Sequence, residues 1–293
     1  MENALPIYSH NPYDATKFPL LVLDVERQMC RPANEGFRVF HWHEEVQFVY
    51  ILKGIVHFRI YDDEIDLKAG DCMFINQAAL HQIMEKEDCH YHSYIVPIRM
   101  LSFFSGSIME ERDVMAVVKH PAFTCFPMRS GDGGCRKVLK ALQELDNLYF
   151  QKEIVKCSEY RISIQLAKVW LELILALPEM PKGMTAPSHE RIRRLISFVH
   201  QNFDKDISLK DIAGAANISP TECQRCFRAY TKCSPYQYLM RYRLEQSAVM
   251  LTSSNDTITE IAVSVGFNSV SAYIKYFKKF YGETPSKFRH NKG

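Results

Sequence analysis

Between Pro19 and Pro97, short apolar runs alternate with residues that favour turns. Turn residues fall at Lys53-Gly54, Asp62-Asp63 and Ala69-Gly70-Asp71. Short apolar runs bounded in this way are typical of strands in an antiparallel barrel or jelly roll. This part of the chain is therefore predicted to be β-rich, with strands at Leu20–Val25, Phe37–Trp42, Val46–Leu52, Ile55–Tyr61, Cys72–Ile75 and Tyr94–Val96.

After Gly131–Gly134 the apolar residues recur at helical spacing, which predicts two amphipathic helices. Their apolar faces suit packing on the β-rich part or on the same helices of a second chain. We expect residues 131–177 to form a helical segment for dimerisation and relay. The apolar residues are Val138, Leu142, Leu145, Leu148 and Tyr149 in the first helix, and Ile162, Leu166, Val169, Leu173 and Leu177 in the second.

A linker is predicted at residues 178–187. This stretch has three prolines in ten residues and no helical periodicity, a composition typical of connections between domains. It divides the chain into residues 1–177 and a C-terminal domain at 188–293.

The C-terminal domain contains an internal repeat with a period of about fifty residues. Leu209–Ala213 returns as Ile258–Ala262, and Ser234-Pro235 returns as Thr284-Pro285. The pattern of each copy predicts two helices joined by a short turn, which is a helix-turn-helix motif. The two motifs are predicted at residues 208–230 and 257–281. Ser208 with Asp211, and Thr257 with Glu260, are predicted to cap the first helix of each copy.

The second helix of each copy separates an apolar stripe from a polar face. Arginine and glutamine on such a face can read base edges in the major groove, and lysine neutralises phosphates. A plain solvated face is the alternative, but two matching copies favour DNA binding. The stripes are Cys223, Cys226, Phe227 and Tyr230, then Tyr273, Tyr276, Phe277 and Phe280; the opposite faces carry Thr221, Gln224, Arg225 and Arg228, then Ser271, Ile274, Lys275 and Lys278.

Charge strengthens this interpretation. Residues 188–293 carry 16 lysines and arginines against 9 acidic residues, a net +7, while the rest of the chain carries a net −5. A basic domain with interleaved aromatic residues suits nucleic acid. The Cys223-x-x-Cys226 pair lies on the apolar stripe, so we interpret both cysteines as structural rather than as metal ligands.

The overall composition is that of a globular protein. The chain has 293 residues, 47% of them hydrophobic and 24% charged, which suits about two domains. Its longest apolar stretches, Met100–Met109 and Val169–Leu177, are shorter than the roughly 18 residues of a membrane span. Nine scattered cysteines and an N-terminus unlike a secretory signal predict reduced thiols, a cytoplasmic location and no membrane partner.

The repeat, the Pro235–Leu251 segment and the closing Phe277–Arg289 resemble the DNA-binding domain of the arabinose-regulator (AraC/XylS) family of bacterial transcription factors. The resemblance covers residues 188–290 and implies that each second helix enters the major groove. Val270 and Ile274 are poor hydrogen-bond partners, which suits thymine methyl groups or non-specific affinity. The resemblance implies base contacts from Thr221, Gln224, Arg225, Val270, Ser271, Ile274 and Lys275, with Arg228 and Lys278 added as further DNA-binding residues from the polar faces.

The acidic part resembles the two motifs of the cupin fold, a small β-barrel that often precedes this DNA-binding domain. His41-Trp42-His43 is followed by Gln47 and Gly54, and Gly70-Asp71 precedes His81. The resemblance implies a metal site at His41, His43, Gln47 and His81, with glutamine where metal-binding cupins have glutamate. An amide is a weak ligand, so we expect these residues to line an effector pocket in a domain spanning 1–130, without a metal.

Two other interpretations of His41, His43, Gln47 and His81 stay open. They could bind a metal ion, or they could be structural residues of the barrel whose hydrogen bonds are made within it. A second His-x-His, His90-Tyr91-His92, is predicted to lie on a surface strand.

The predicted fold class is α+β multidomain: a cupin-like β-barrel with a helical pair, then an all-α domain with two helix-turn-helix motifs. The predicted function is a DNA-binding transcription regulator, not an enzyme, with no cofactor. Its expected partners are double-stranded promoter or operator DNA, a small-molecule effector, a second copy in a homodimer and RNA polymerase. The alternatives are a metal-dependent cupin enzyme fused to a DNA-binding module, and an RNA polymerase adaptor with little DNA specificity.

Overall fold

The computed structural model describes residues 7–9, 17–27, 29–34, 36–37, 39–61, 63–120, 123–151, 156–178 and 187–292. The chain divides into two compact units, Met1–Ala186 and Pro187–Gly293. Most of the predicted linker, residues 179–186, lies outside the described residues.

Nine strands in the described part of the first unit form one sheet. Its spine is a pair of long antiparallel strands, β5 and β8, which pair along nearly their whole length. Strands β7 and β6 pair with the two halves of β5, and β2 pairs with the C-terminal half of β8. The strands are β1 (Ile7–Tyr8), β2 (Leu21–Glu26), β3 (Met29–Arg31), β4 (His41–Trp42), β5 (Val46–Ile60), β6 (Asp63–Lys68), β7 (Cys72–Ile75), β8 (His81–Val96) and β9 (Cys125–Met128).

Successive residues of the central strands point to opposite faces of the sheet, and both faces are buried. On β5, Phe48 belongs to an apolar core that includes residues of the helical segment, whereas Gln47 lines a cavity. On β8, Tyr94 and Ser93 divide in the same way. Alternation with period two thus separates a core between sheet and helices from a cavity on the other face.

Five of the six predicted runs lie in strands, and the prediction was wrong at two places. Lys53-Gly54 is not a hairpin turn, because β5 runs through it with shifts in register that mark β-bulges. Of Phe37–Trp42, only His41 and Trp42 form a strand. Residues 81–89 of β8 were missed because charged residues such as Glu85 and Asp88 interrupt their apolar pattern.

The second His-x-His motif is not a surface strand. It lies in the middle of β8, where Tyr91 and His92 are buried. His92 is covered by the helical segment, through Asp146 and Phe150. A partner more than fifty residues away leaves no local signal in the sequence.

The helical segment packs against the sheet of its own chain. It contains α2 (Arg136–Tyr149) and α3 (Ser158–Ala176), which follow the short α1 (Met115–Val118) and single turns at Ile98–Met100, Glu110–Val114 and Gly133–Cys135. The predicted apolar faces are buried in the same core as Phe48 and Tyr94. These faces are therefore not free to pack on the same helices of a second chain, which was one of the two interpretations of the sequence. The buried residues are Val138, Leu142, Leu145, Ile162, Leu166, Val169 and Leu173.

The secondary-structure elements described in the second unit are all helices. The two helix-turn-helix motifs are α5 with α6 and α8 with α9, and α7 connects them. The helices are α4 (Pro187–Asn202), α5 (Leu209–Gly214), α6 (Pro220–Thr231), α7 (Pro235–Ser253), α8 (Ile258–Ser264), α9 (Val270–Tyr281) and α10 (Pro285–Lys292). The predicted fold class is confirmed.

The capping predicted for the repeat is also confirmed. Ser208 and Asp211 exchange hydrogen bonds at the start of α5, as Thr257 and Glu260 do at the start of α8. Each box satisfies two backbone or side-chain donors that the first helical turn would otherwise leave unpaired. The sequence therefore places the first helix of each motif correctly.

The turns of the two motifs share one backbone conformation. Asn217 and Gly266 occupy equivalent places and have positive φ values of 53° and 84°. At Gly266 a Cβ atom would lie 2.7 Å from Phe203 O and 2.8 Å from an Arg243 nitrogen. Glycine is needed there for the conformation and for the space. Among the helices of the described chain, none is long and apolar enough to cross a membrane.

Core packing of α3 on the sheet predicts the effect of a truncation. Leu166→Ala should lower the free energy of unfolding of the first unit by about 2–5 kcal/mol, because it leaves a cavity between α3 and the sheet. Both tryptophans, Trp42 and Trp170, lie in this unit, so urea unfolding followed by tryptophan fluorescence measures it.

The matched control is Met29→Ala, which truncates an exposed side chain and should change stability by less than about 0.5 kcal/mol. An unfolding midpoint of Leu166→Ala equal to that of the wild type would contradict burial of Leu166 in this core.

Candidate functional site

The first recognition helix, α6, presents four predicted DNA-binding side chains to solvent. Ser219 caps the helix by accepting a hydrogen bond from Glu222 N, and Pro220 follows as the first helical residue. The opposite face is buried in the core of the motif. The exposed residues are Thr221, Gln224, Arg225 and Arg228.

Arg225 is held by a neighbour on the same helix. Its Nε and one terminal nitrogen donate to the two carboxylate oxygens of Glu222, at 2.9 and 2.8 Å. This ion pair lowers the pKa of the Glu222 carboxyl below its usual range. The guanidinium lies beside the carboxylate, so reading a base edge with the same donors requires it to leave Glu222.

The second recognition helix, α9, is less polar. Ser271, Lys275 and Lys278 are exposed, as predicted. Val270 and Ile274 are half-buried and pack against the apolar core of this motif. Only part of each side chain is therefore available to thymine methyl groups.

Two aromatic residues of α9 were wrongly predicted to be buried. Tyr276 is 40% exposed and Phe280 is 42% exposed, whereas Tyr273 and Phe277 fill the core. The guanidinium of Arg241, on α7, lies 5.5 Å from the centre of the Phe280 ring. Periodicity marks four residues, but the core of the motif has room for two of them.

The cysteine pair of α6 is structural, as predicted. Cys223 and Cys226 are buried on the core side of the helix, and burial raises the pKa of the Cys223 thiol to about 12. A thiol in this environment is a poor nucleophile and a poor metal ligand.

The sheet of the first unit carries a small cavity, partly open to solvent, on the face away from α2 and α3. Its lining combines aliphatic residues such as Leu23 and Ile83 with the polar side chains of His41, Gln47 and Ser93. An apolar wall with a few polar groups is the usual character of a small-molecule site.

The structure brings the four predicted effector residues together. His41 on β4 stands opposite His81 on β8 in the strand register, and their ring centres are 4.2 Å apart. The His43 ring lies 5.2 Å from that of His81, and its Nε2 is 3.2 Å from Gln47 Oε1. His41 and Gln47 line the cavity, whereas His43 and His81 contact these two outside the described lining.

The imidazoles of His41 and His81 are neutral and fixed in orientation. Each Nδ1 lies within hydrogen-bond distance of a backbone carbonyl, Val39 O at 2.9 Å and Ala79 O at 2.7 Å. Burial, then the neighbouring His43, lowers the pKa of His41 to about 3, and burial lowers that of His81 as well. With Nδ1 donating, each Nε2 keeps a lone pair.

Gln47 connects this cluster to the next strand. Its amide nitrogen donates to Ser93 Oγ at 2.6 Å, which turns Oε1 towards His43. His43 also faces the backbone oxygen of Glu45 through Nδ1, at 3.2 Å. The Glu45 carboxylate lies 3.4 Å from the same Nδ1, so the His43 ring has acceptors at both of its nitrogens.

The three histidines fit a site for a divalent metal ion, which is the cofactor that a cupin fold implies. Donor atoms of His41, His43 and His81 lie within 4.8 Å of one another and all three rings are buried. The buried Nε2 of His81 has no hydrogen-bond partner among the described residues. Outer hydrogen bonds from Nδ1 to carbonyls are the usual support of metal-binding histidines.

Several cavity residues were not predicted. Ser93 and Ile83 come from the part of β8 that the sequence did not reveal as a strand, and Tyr91 was predicted to lie on a surface strand instead. Gly36 faces His41 so closely that a Cβ would lie 2.5 Å from His41 Cδ2. An alternating pattern starting at His81 is the one signal that could have located the β8 residues.

Comparison with known proteins gives two family matches and several relatives. A helix-turn-helix domain model matches residues 212–291, and a cupin domain model matches residues 29–95. The chain is 31% identical over 261 residues to YdeC of Bacillus subtilis, an uncharacterised helix-turn-helix-type transcriptional regulator, with 87% of each chain covered. It is 32% identical to the Msm operon regulatory protein of Streptococcus mutans over 98% of each chain. The melibiose operon regulatory protein of Escherichia coli is 19% identical over 85% of this chain and 82% of that one.

The exposed face of α6 predicts how two substitutions differ. Arg225→Ala should weaken binding to a cognate duplex, selected from a random pool with the full-length protein, by about 1–3 kcal/mol. It should change binding to random duplexes little, because a base contact is lost. Fluorescence anisotropy with both duplexes measures the difference.

The control is Lys278→Ala, which should weaken both duplexes alike and reduce the dependence of affinity on salt. Equal losses on both duplexes for Arg225→Ala would show that Arg225 contacts phosphate instead.

Proposed function

The chain belongs to the arabinose-regulator (AraC/XylS) family of transcription regulators, and we propose that a small saccharide in its β-barrel controls its binding to promoter DNA. In this proposal residues 1–130 bind the effector and residues 188–293 bind DNA. Residues 131–177 form the dimer and transmit the effect of the effector, and residues 178–187 are the linker between the two domains. The protein acts in the bacterial cytoplasm, contacts RNA polymerase at its promoters and catalyses no reaction.

The observation that carries the proposal is the cavity on the sheet face lined by His41, Gln47 and Ser93. Its interior space is only about 20 Å³, room for one or two water molecules, so a sugar ring must displace lining side chains when it binds. Phe37 and Tyr91 add aromatic walls. Aromatic faces with neutral donors and acceptors suit a sugar ring, whose two faces are apolar and whose edge carries hydroxyl groups.

Relatives support a carbohydrate effector. The names of two of them refer to melibiose and raffinose operons, from Escherichia coli and Pediococcus pentosaceus. Both names are those of oligosaccharides, so we extend this chemical class to the present chain.

A divalent metal on His41, His43 and His81 is a second candidate for the same domain, favoured by the buried Nε2 of His81. When bound, such a cation would supply Lewis acidity or fix a polar ligand. His41 and Gln47 line the cavity, so these residues would connect the metal to whatever the cavity holds.

A homodimer through α3 is also part of the proposal. Four apolar residues of α3 are more than half exposed and recur at intervals of four, seven and four residues, which places them on one stripe. This stripe differs from the one predicted from the sequence, which lies in the core. The exposed residues are Tyr160, Ile164, Leu171 and Leu175.

The test of the effector site uses two variants. Gln47→Leu removes the bonds to His43 and Ser93, and Ile83→Trp fills the cavity without removing a polar group. Each should abolish the effect of a saccharide on operator affinity, measured with and without sugars from a mono- and oligosaccharide panel. Each should leave affinity without sugar unchanged, because neither residue lies in the DNA-binding unit.

Circular dichroism and the unfolding midpoint establish that the two variants are folded. A full response in both variants would show that the effector binds elsewhere, and a response to none of the sugars would exclude the saccharide class.

The α3 stripe predicts a dimer that a charge disrupts. Leu171→Glu should convert the full-length protein from dimer to monomer in analytical ultracentrifugation at micromolar concentration, because it places a carboxylate in an apolar contact. Lys140→Glu, which reverses an exposed charge on α2, should leave the dimer intact. Monomeric wild-type protein under the same conditions would refute the interface.

A further inference from the structure

Four titratable side chains meet between the sheet and α2, on the face opposite the cavity. Asp24 lies on β2, His90 and His92 on β8, and Asp146 near the C-terminal end of α2. Asp24 stands directly opposite His92 in the strand register. His90 is two residues from His92 and therefore points to the same face. Neighbouring strands thus hold three potential ligands on one rigid surface.

Asp146 determines which proton His92 carries. His92 Nδ1 lies 2.5 Å from Asp146 Oδ1, and the Tyr94 hydroxyl donates to the same oxygen at 2.6 Å. A carboxylate oxygen accepts hydrogen bonds, so the Nδ1 of His92 is the donor in this contact. The Nε2 of the same ring lies on the side of Asp24.

A second carboxylate lies on the other side of the ring. His92 Nε2 is 3.6 Å from Asp24 Oδ1, and His90 Nε2 is 2.8 Å from the same oxygen. At 3.6 Å, His92 Nε2 and Asp24 are too far apart for a good hydrogen bond. A cation bound between them would contact both atoms.

Spacing and charge both suit such a cation. One ligand atom each of Asp24, His90 and His92 lies within 4.8 Å of the others. Bonds of about 2.0–2.2 Å to one divalent ion bring its ligand atoms to roughly 3–3.5 Å from each other, so small side-chain rotations complete the geometry. The two carboxylates, Asp24 and Asp146, balance the two positive charges of the ion.

The surroundings hold His92 and leave the site open. His92 is buried, and its ring stacks on Phe150 with 3.8 Å between the ring centres. The side chains of His90 and Asp24 are 32% and 39% exposed. One ligand is therefore fixed, while an ion can enter from solvent and keep water at its remaining positions.

We propose that Asp24, His90 and His92 bind a divalent transition-metal ion of the zinc type, with Asp146 as the outer partner that orients His92. Two histidines and one carboxylate are a common ligand set for such ions. The carboxylate–histidine–metal arrangement is the usual outer support of metal-binding histidines. This site is separate from the His41 cluster and does not depend on the proposed effector.

The ion would connect the sheet to the helical segment. Asp24 and His90 belong to strands, whereas Asp146 belongs to α2, which reaches the ion through His92. Binding to the folded protein alone raises its stability by mass action. Metal should therefore raise the unfolding midpoint of the first unit, as measured by tryptophan fluorescence.

The test measures zinc on the full chain. Protein stripped with a chelator is dialysed against Zn²⁺, and bound zinc is measured by mass spectrometry. The parent is a His41→Ala/His81→Ala variant, which disables the other histidine cluster. In this parent we expect one zinc per chain, lost in His90→Ala and in Asp24→Asn. Asp146→Asn should weaken binding by about 10–100-fold, as is typical for outer partners.

His57→Ala is the matched control, because His57 pairs with Asp66 at 2.7 Å without a third ligand in the described clusters. It should keep the zinc. The visible absorption of Co²⁺ bound in place of zinc should likewise disappear in His90→Ala and persist in the control.

Zinc absent from the parent, or equal in His90→Ala and His57→Ala, overturns the proposal. Zinc present in wild type and lost in the parent also overturns it, because the ion then belongs to the His41 cluster. The saccharide response is measured separately, so loss of one does not imply loss of the other. Circular dichroism verifies folding, and His90→Gln provides a second variant if His90→Ala does not fold.

Discussion

The structure of the first unit depends on β5 and β8, two long strands that are paired with each other and buried on both faces. Because side chains alternate across a sheet, neighbouring residues of these strands serve different purposes. Phe48 and Tyr94 hold the helical segment, whereas Gln47 and Ser93 shape the cavity. A shift of one residue in this pairing would exchange the two sets, so core packing and the candidate effector site depend on the same register.

The DNA-binding unit depends on a local constraint, repeated twice. A residue with positive φ, Asn217 or Gly266, lies in the turn between the first helix of each motif and its recognition helix. Buried Arg243 donates to the backbone oxygens of Phe203 and Lys205, and Arg289 donates to those of Leu251 and Asp256. Each arginine side chain therefore donates hydrogen bonds to backbone oxygens of the segment that precedes one motif. These side-chain-to-backbone bonds hold both motifs in place.

Local signals explain what could be predicted from the sequence. Caps such as Ser208 with Asp211 act within one helical turn, so the helical half was placed correctly. The β-rich half was harder, because its order comes from pairing between distant residues. The bulge at Gly54 resembles a turn, and the partner of His92 lies on α2. The His41 cluster was found because its motif is local, whereas Asp24 with His90 and His92 requires the register of β2 and β8.

Charge separates the chemistry of the two units. Burial keeps His41 and His81 neutral, since it lowers the pKa of both rings, and Gln47 and Ser93 carry no charge. The described polar lining of the cavity is thus uncharged, and an ionised effector entering it would lose hydration without gaining an opposite charge. A neutral ligand with many hydroxyl groups avoids this cost. The exposed faces of α6 and α9 instead carry Arg225, Arg228, Lys275 and Lys278, which suit phosphates. The cavity therefore disfavours ionised molecules such as phosphates, which the recognition helices attract.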